Sequence, residues 1–293
     1  LQGGAKNTYP KWSILSLIYT QKSNICPQMM GTQYSSCPQL TFPDLPMKLL
    51  EFPHSHYCEK ARWALDFKNI SYQRVALMPG FHMRTVRCHA PQTSVPVLLT
   101  GTEVVQGSSE IIDYLDRFSP ERGLTPLDKP SQDMCRQLEQ EAGENLGEPL
   151  RTILYDRLLA YPDFIRFCFT HPMPAPKRFV FRLYYPFLRR LMHQVYVQSE
   201  EKVAEAKSIF FASLDELEAR IGADRYLLDG RFTRADLSIC SMLSLLVLPP
   251  QFPVAWPEMP DGEIREIMAD CRDHPVCVWV RQMYDQHRKP QSD

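Results

Sequence analysis

Three short segments of this chain carry residues whose types and spacing could do chemistry. The first is His54-Ser55-His56-Tyr57-Cys58, directly behind Met47 to Phe52, which reads as a strand ended by Pro53. A helix opening at this corner would present unpaired N–H groups and a partial positive charge, which hold an anion without any side-chain cation. A thiolate is such an anion. A hydroxyl from Ser55 donating to a bound sulfur would lower that thiol's pKa and make a nucleophile near neutral pH. Ser55 could equally cap the helix, the commoner task of serine there, and the residues alone leave both roles open. Cys58, one turn further on, reads as a small buried hydrophobe rather than a nucleophile.

The second segment is Thr93-Ser94-Val95-Pro96, where proline enters a strand and loses a ladder hydrogen bond. A cis Val95–Pro96 bond would turn the Val95 N–H and C=O towards a ligand backbone; a trans proline at the strand's first residue is the alternative. The third is Gln106-Gly107-Ser108-Ser109, again before a helix, where hydroxyls and free N–H groups suit a carboxylate or simply cap. His54, His56 and Cys58, and Cys271, His274 and Cys277, lack the paired spacing of a zinc site, so no metal is expected. No glycine-rich nucleotide loop occurs. Arg178, Arg182, Arg189 and Arg190 alternate with Phe179, Phe181, Tyr184, Tyr185 and Phe187, read here as a solvated helix face over an aromatic core side, not a membrane or nucleic-acid patch.

These segments need elements to hold them. Tyr57, Ala61, Ala64 and Leu65 form one apolar stripe, with Glu59, Lys60 and Lys68 off it, so a helix follows Ser55. Then come a strand over 71–77, a weak helix over 81–89, a hairpin from 95–99 to 103–105, and a helix over 108–118. Residues 119–131, with three prolines, read as a linker. The remainder is helical. Val203, Ala206, Phe210, Leu214, Leu217 and Ile221 mark one amphipathic helix, and Thr233 with Asp236 forms a capping box before an apolar helix, 237–248, expected at the centre of the second domain. Proline clusters at 162–186 and 249–260 are expected to interrupt that domain.

The 293 residues, 44% of them hydrophobic, suffice for two domains, 47–118 and 132–293, behind a poorly ordered extension over 1–46. Lys and Arg total 33 against 34 for Asp and Glu, so no global charge draws the chain to nucleic acid. Nine scattered cysteines favour a reducing, cytoplasmic setting. The longest apolar runs are too short for a transmembrane anchor, and no small-residue cleavage pattern follows the run from Trp12 to Tyr19.

Taken in order, Ser55 to Leu65, Val95-Pro96, Ser108 to Leu115, Phe232 to Leu237 and Pro275 to Trp279 resemble the cytosolic glutathione transferase superfamily over residues 47 to 290, the first piece being similar to serine-type bacterial members. The resemblance implies an α/β thioredoxin-like domain with a mixed four-stranded sheet, followed by an all-α helical bundle domain with a hydrophobic pocket. It implies a cytoplasmic, homodimeric transferase whose partners are glutathione, as co-substrate, and an apolar electrophile. By position, Ser55 would hydrogen-bond the glutathione sulfur, Val95 before cis Pro96 would pair with the cysteinyl backbone, and Ser108 would hold the γ-glutamyl carboxylate. The residue before that serine is usually acidic in the family. Here it is Gly107, with Gln106 a candidate substitute; His82, Arg84 and Arg87 are candidates for the glycyl carboxylate. The other functions weighed are a non-catalytic binding module and a glutathione-dependent reductase, dehalogenase or isomerase.

Overall fold

Strand β1, Met47–Glu51, runs parallel to β2, Tyr72–Ala76, with Met47 opposite Tyr72 and Glu51 opposite Ala76. A parallel pair needs a crossover, and helix α1, His56–Phe67, supplies it. The computed structural model describes residues 47–171, 173–221 and 225–289; the extension expected over 1–46 lies outside them. A short helix α2, His82–Arg87, leads to β3, Val97–Leu99, and β4, Val104–Gln106, both antiparallel to their neighbours, and helix α3, Ser108–Phe118, closes this half. The strand order is β2-β1-β3-β4, the mixed four-stranded sheet expected.

Side chains alternate across the sheet, as a period of two requires. Leu49 and Leu98 join Ala61, Trp63, Leu65, Ile111 and Leu115 from α1 and α3 in the main core. Leu50 and Val97 face the other way, towards Leu77, Val86 and Ala90.

The rest is helical: α4, Lys129–Glu141, running through a π-helical segment, Ala142–Gly147, into α5, Glu148–Leu158; then α6, Pro162–Thr170; α7, Ala175–Met192; α8, Glu200–Ile221; α9, Arg234–Val247; α10, Glu263–Asp270; and α11, Pro275–His287. Helix α4 starts inside the stretch read as linker, because Asp128 accepts the Ser131 N–H at 2.9 Å and Pro130 sits in the first turn, where proline loses no bond. The first proline cluster falls mostly at helix boundaries. Pro162 opens α6, Pro174 and Pro176 open α7, and only Pro186 lies inside a helix. The capping box of α9 is present: the Thr233 N–H and hydroxyl both donate to the Asp236 carboxylate, at 2.8 and 2.7 Å. Residues 234–244 of this helix are all buried, which puts it at the centre of the helical half.

Helix α1 departs from its amphipathic reading. The charged residues expected to face solvent, Glu59, Lys60 and Lys68, are buried along with Arg62 and Asp66. The helix packs on α3 on one side and α9 on the other, so its polar face meets protein, and distant partners neutralise it. No helix among the described residues is long and apolar enough to cross a membrane.

Candidate active site

Pairing register brings the three segments together. Leu50 of β1 lies opposite Val97 of β3, and Val97 lies opposite Gln106 of β4. The end of β1, the start of β3 and the end of β4 therefore share one edge of the sheet, where α1 and α3 begin. Phe52 and Val95 pack on the same apolar cluster, and the Gly107 N–H donates to the Pro96 carbonyl at 3.0 Å. The Val95–Pro96 bond is cis.

Ser55 is the N-cap of α1, and its Oγ accepts the Cys58 N–H at 3.3 Å. Capping uses one lone pair of the hydroxyl and leaves its proton to donate elsewhere, so the two roles left open by sequence are compatible. Cys58 is fully buried and its Sγ accepts the Phe52 N–H at 3.4 Å; burial pushes its thiol up to about 11, which removes it as a nucleophile at neutral pH. The flanking rings are not cations. Burial holds His56 down to about 3, with Arg151 adding to the effect. It holds His54 down to about 4 even though Nδ1 lies 2.7 Å from the Cys168 carbonyl and Nε2 3.1 Å from that of Ala255. Positive potential at Ser55 thus comes from the helix terminus.

Those two rings make stability pH-dependent. The unfolded chain protonates them near pH 6.5 and the folded protein does not until pH 4 or below, so stability is full above about 6.5 and is lost as pH falls towards 4. Denaturant titrations at pH 7 and pH 5 should differ by roughly 3–4 kcal/mol from these rings alone, at about 1.4 kcal/mol per pH unit each. A flat profile over that range would show the rings to be solvated.

At the second helix terminus, Gly107 is the N-cap of α3 with φ 108°, and no side chain caps it. The positive φ is what calls for glycine at 107; an added Cβ would meet only the mobile carboxylate end of Glu110, which lies over this position. Glu110 therefore folds back over the helix start and fills the volume that a side chain at 107 would take. Sequence reasoning missed this residue, although a glutamate three positions after an N-cap is the standard signal for such folding back. Ser108, buried, opens α3 beside it. Gln106, the expected substitute for an acid, is committed elsewhere: its amide nitrogen donates to the carbonyls of Gln92 and Ser94 at 3.1 and 2.9 Å, and its oxygen accepts the Gln92 N–H. His82 is committed too, accepting the Gly80 N–H at 3.1 Å and bonding the Thr93 backbone. Arg84 is exposed on α2, which also carries Arg87.

Helix α1 is aimed by a buried chain of charges. Arg62 donates to Glu51 at 2.6 Å, to Glu59 at 2.9 Å and to the Pro53 carbonyl at 3.0 Å. Arg288 reaches back to Glu59 at 2.8 Å and to Asp66, and the His287 carbonyl accepts the Trp63 indole N–H at 3.1 Å. On the helix's other side Lys60 pairs with Glu139 at 2.5 Å. The two arginines together hold Glu59 below the ordinary carboxylate range although its burial pushes the other way.

The first turn of α1 looks onto the π-helical segment. A Cβ at Gly147 would lie 3.2 Å from the His56 Nε2 and 2.5 Å from the Met242 sulfur, and one at Gly143 would lie 3.2 Å from the Tyr57 hydroxyl. A cavity of about 390 Å³ opens elsewhere, between the end of α9, α10 and the start of α11, and its lining, including Leu246, Met259, Met268, Cys277 and Arg281, contains no residue from 47–118. Among the described residues no three His, Cys, Asp or Glu side chains converge to hold a metal.

A mixed four-stranded sheet with a cis proline at one edge, two helix N-termini beside it and a helical half behind defines the thioredoxin-like class with an all-α extension. The comparisons narrow this. Residues 49–123 match the family described as "Glutathione S-transferase, N-terminal domain". The chain is 19% identical to the solved beta-etherase LigF from Sphingobium sp. strain SYK-6, covering 83% of this chain and 96% of that one at a TM-score of 0.60. It is 18% identical to a glutathione S-transferase from Methylobacillus flagellatus KT solved with glutathione bound, covering 82% and 95% at a TM-score of 0.57. The fold is that of the glutathione S-transferases. A curated relative, the maleylpyruvate isomerase of Ralstonia sp., is 32% identical over 100 residues, which are 33% of this chain and 47% of that protein, so the match spans about half of the relative's length.

Proposed function

We propose that the protein is a glutathione transferase in which Ser55 forms the catalytic contact with the sulfur, residues 47–118 bind glutathione and residues 132–293 seat an apolar electrophile. The observation carrying this reading is the convergence of Ser55, cis Val95–Pro96 and Ser108 at one sheet edge, each beside a free main-chain or hydroxyl donor. The Ser55 hydroxyl donates to the thiolate while the α1 terminus holds its charge, and the nucleophile meets its partner at the face formed by Tyr57 and the π-helical segment. Val95 offers backbone groups to the cysteinyl unit. Ser108 and the uncapped α3 terminus take the γ-glutamyl carboxylate.

Glu110 takes the place of the acid absent at 107 and receives the γ-glutamyl ammonium. Calorimetric titration of the full chain with glutathione should give binding, and Glu110→Gln should weaken it by roughly tenfold, the scale of one charge-assisted hydrogen bond. No binding at millimolar glutathione would favour a non-catalytic module. Glutathione-dependent cis–trans isomerisation is a second reading, supported by the Ralstonia relative, and uses the same thiolate on an activated alkene. Assaying an aryl halide beside a maleyl-type cis-alkene separates the two.

A further inference from the structure

Helix α7 is apolar on two sides. Phe181, Tyr185, Leu188 and Met192 are buried in the helical core, whereas Phe179, Leu183 and Phe187, spaced four apart, are 62%, 70% and 59% exposed, with Val180 beside them. At 100° per residue the outward stripe lies about 160° around the helix from the inward one. The aromatic side expected to face the core is therefore split, and half of it faces outward. Every charge on this helix of 18 residues is an exposed cation: Lys177, Arg178, Arg182, Arg189 and Arg190. None of them forms an ion pair with a described residue. Most lie on the flanks between the two apolar stripes, which is the layout of a helix lying in a membrane interface.

We propose that the outer face of α7 seats on an anionic lipid bilayer, with Phe179, Leu183 and Phe187 in the headgroup–acyl boundary and the flanking cations against lipid phosphates. Charge selects this occupant. A second copy meeting through the same face would set five cations against five. Residues 1–46 carry Lys6, Lys11 and Lys22 against a single acid, Asp44, so that segment is no counter-charge either. A nucleic acid would satisfy the arginines but leave Leu183 and the two phenylalanines without a partner. The chain's net charge of −1 makes the cationic surface a local feature of α7.

Co-sedimentation of the full chain with phosphatidylcholine vesicles, with and without one-third phosphatidylserine, tests this. Binding is expected on the anionic vesicles only, falling as salt rises. Arg182→Gln with Arg189→Gln should cut partitioning roughly 25-fold, since each cation near the surface contributes about fivefold. Leu183→Asp should cut it about tenfold or more with an unchanged Tm, because the side chain is solvent-exposed. The proposal fails if anionic vesicles do not bind the protein. It fails also if Leu183→Asp leaves binding intact, which marks a purely electrostatic polyanion site, or if Leu183→Asp dissociates an oligomer on size exclusion, which marks a second copy.

Discussion

Replacing Ser55 with alanine is expected to lower kcat/KM for glutathione conjugation by roughly 10²-fold, the scale of losing one donor to a developing or stored anion. Glutathione binding itself should weaken by less than about tenfold, because in the proposed site Val95, Ser108 and Glu110 would still hold the rest of the tripeptide. The thiolate would then form at higher pH, and the alkaline shift of the rate profile is the signature that a mere folding defect would not give. Alanine also removes the cap on α1, at a cost of about 1 kcal/mol, so Ser55→Gly is the control: glycine caps almost as well as serine and has no hydroxyl. Equal losses in both variants assign the effect to the hydroxyl. Unchanged turnover in Ser55→Ala would remove this residue from the mechanism and leave the helix terminus alone to hold the sulfur.

The largest stability loss is expected from Arg62→Met. Arg62, Glu51, Glu59 and Arg288 have side chains at 0% exposure, so removing the guanidinium strands two carboxylates in the interior and unties the Pro53 carbonyl. Breaking such a buried pair costs about 3–5 kcal/mol, against a total stability of ~5–15 kcal/mol for an ordinary protein. Arg74 on Glu51 and Arg288 on Glu59 remain and soften the loss without cancelling it. Equilibrium denaturation should show the drop directly. A loss under about 1 kcal/mol would mean that water enters beside α1 and screens the network.

Much of this was legible because it is local. A strand ended by proline, a serine opening an amphipathic stripe, a Thr–Asp box before an apolar helix and a three-and-four spacing from Val203 to Ile221 each write their element into a few neighbouring residues. What was not legible is what packs on a polar face. The spacing of α1 states that Glu59 and Lys60 lie off its apolar stripe, but not that protein covers both, nor that Arg288 arrives to neutralise one and Glu139 the other. The same ambiguity hid the two-sided character of α7, whose sequence fixes the period of its aromatics but not which of them finds a neighbour. At the site, Gly107 read as a missing acid and only its neighbour Gln106 was weighed in its place; Glu110, one helical turn on, lies over that position in three dimensions. Pro130 blurred the end of the linker for a related reason, since a proline that stops one helix and a proline that starts the next look alike until the cap is located.

The tie between Arg288 and helix α1 sets a timetable for the making of the protein. The ribosome delivers Glu59 and Asp66 more than two hundred residues before the guanidinium that neutralises them, at separations of 229 and 222 positions. Until then Glu59 has only Arg62 beside it, Asp66 lacks Arg288, and the Trp63 indole has no His287 carbonyl to meet. The sheet-bearing half therefore lacks these contacts while it is being synthesised. It gains them only when residues 275–288 arrive, the interval in which a partly made chain is most open to misassembly.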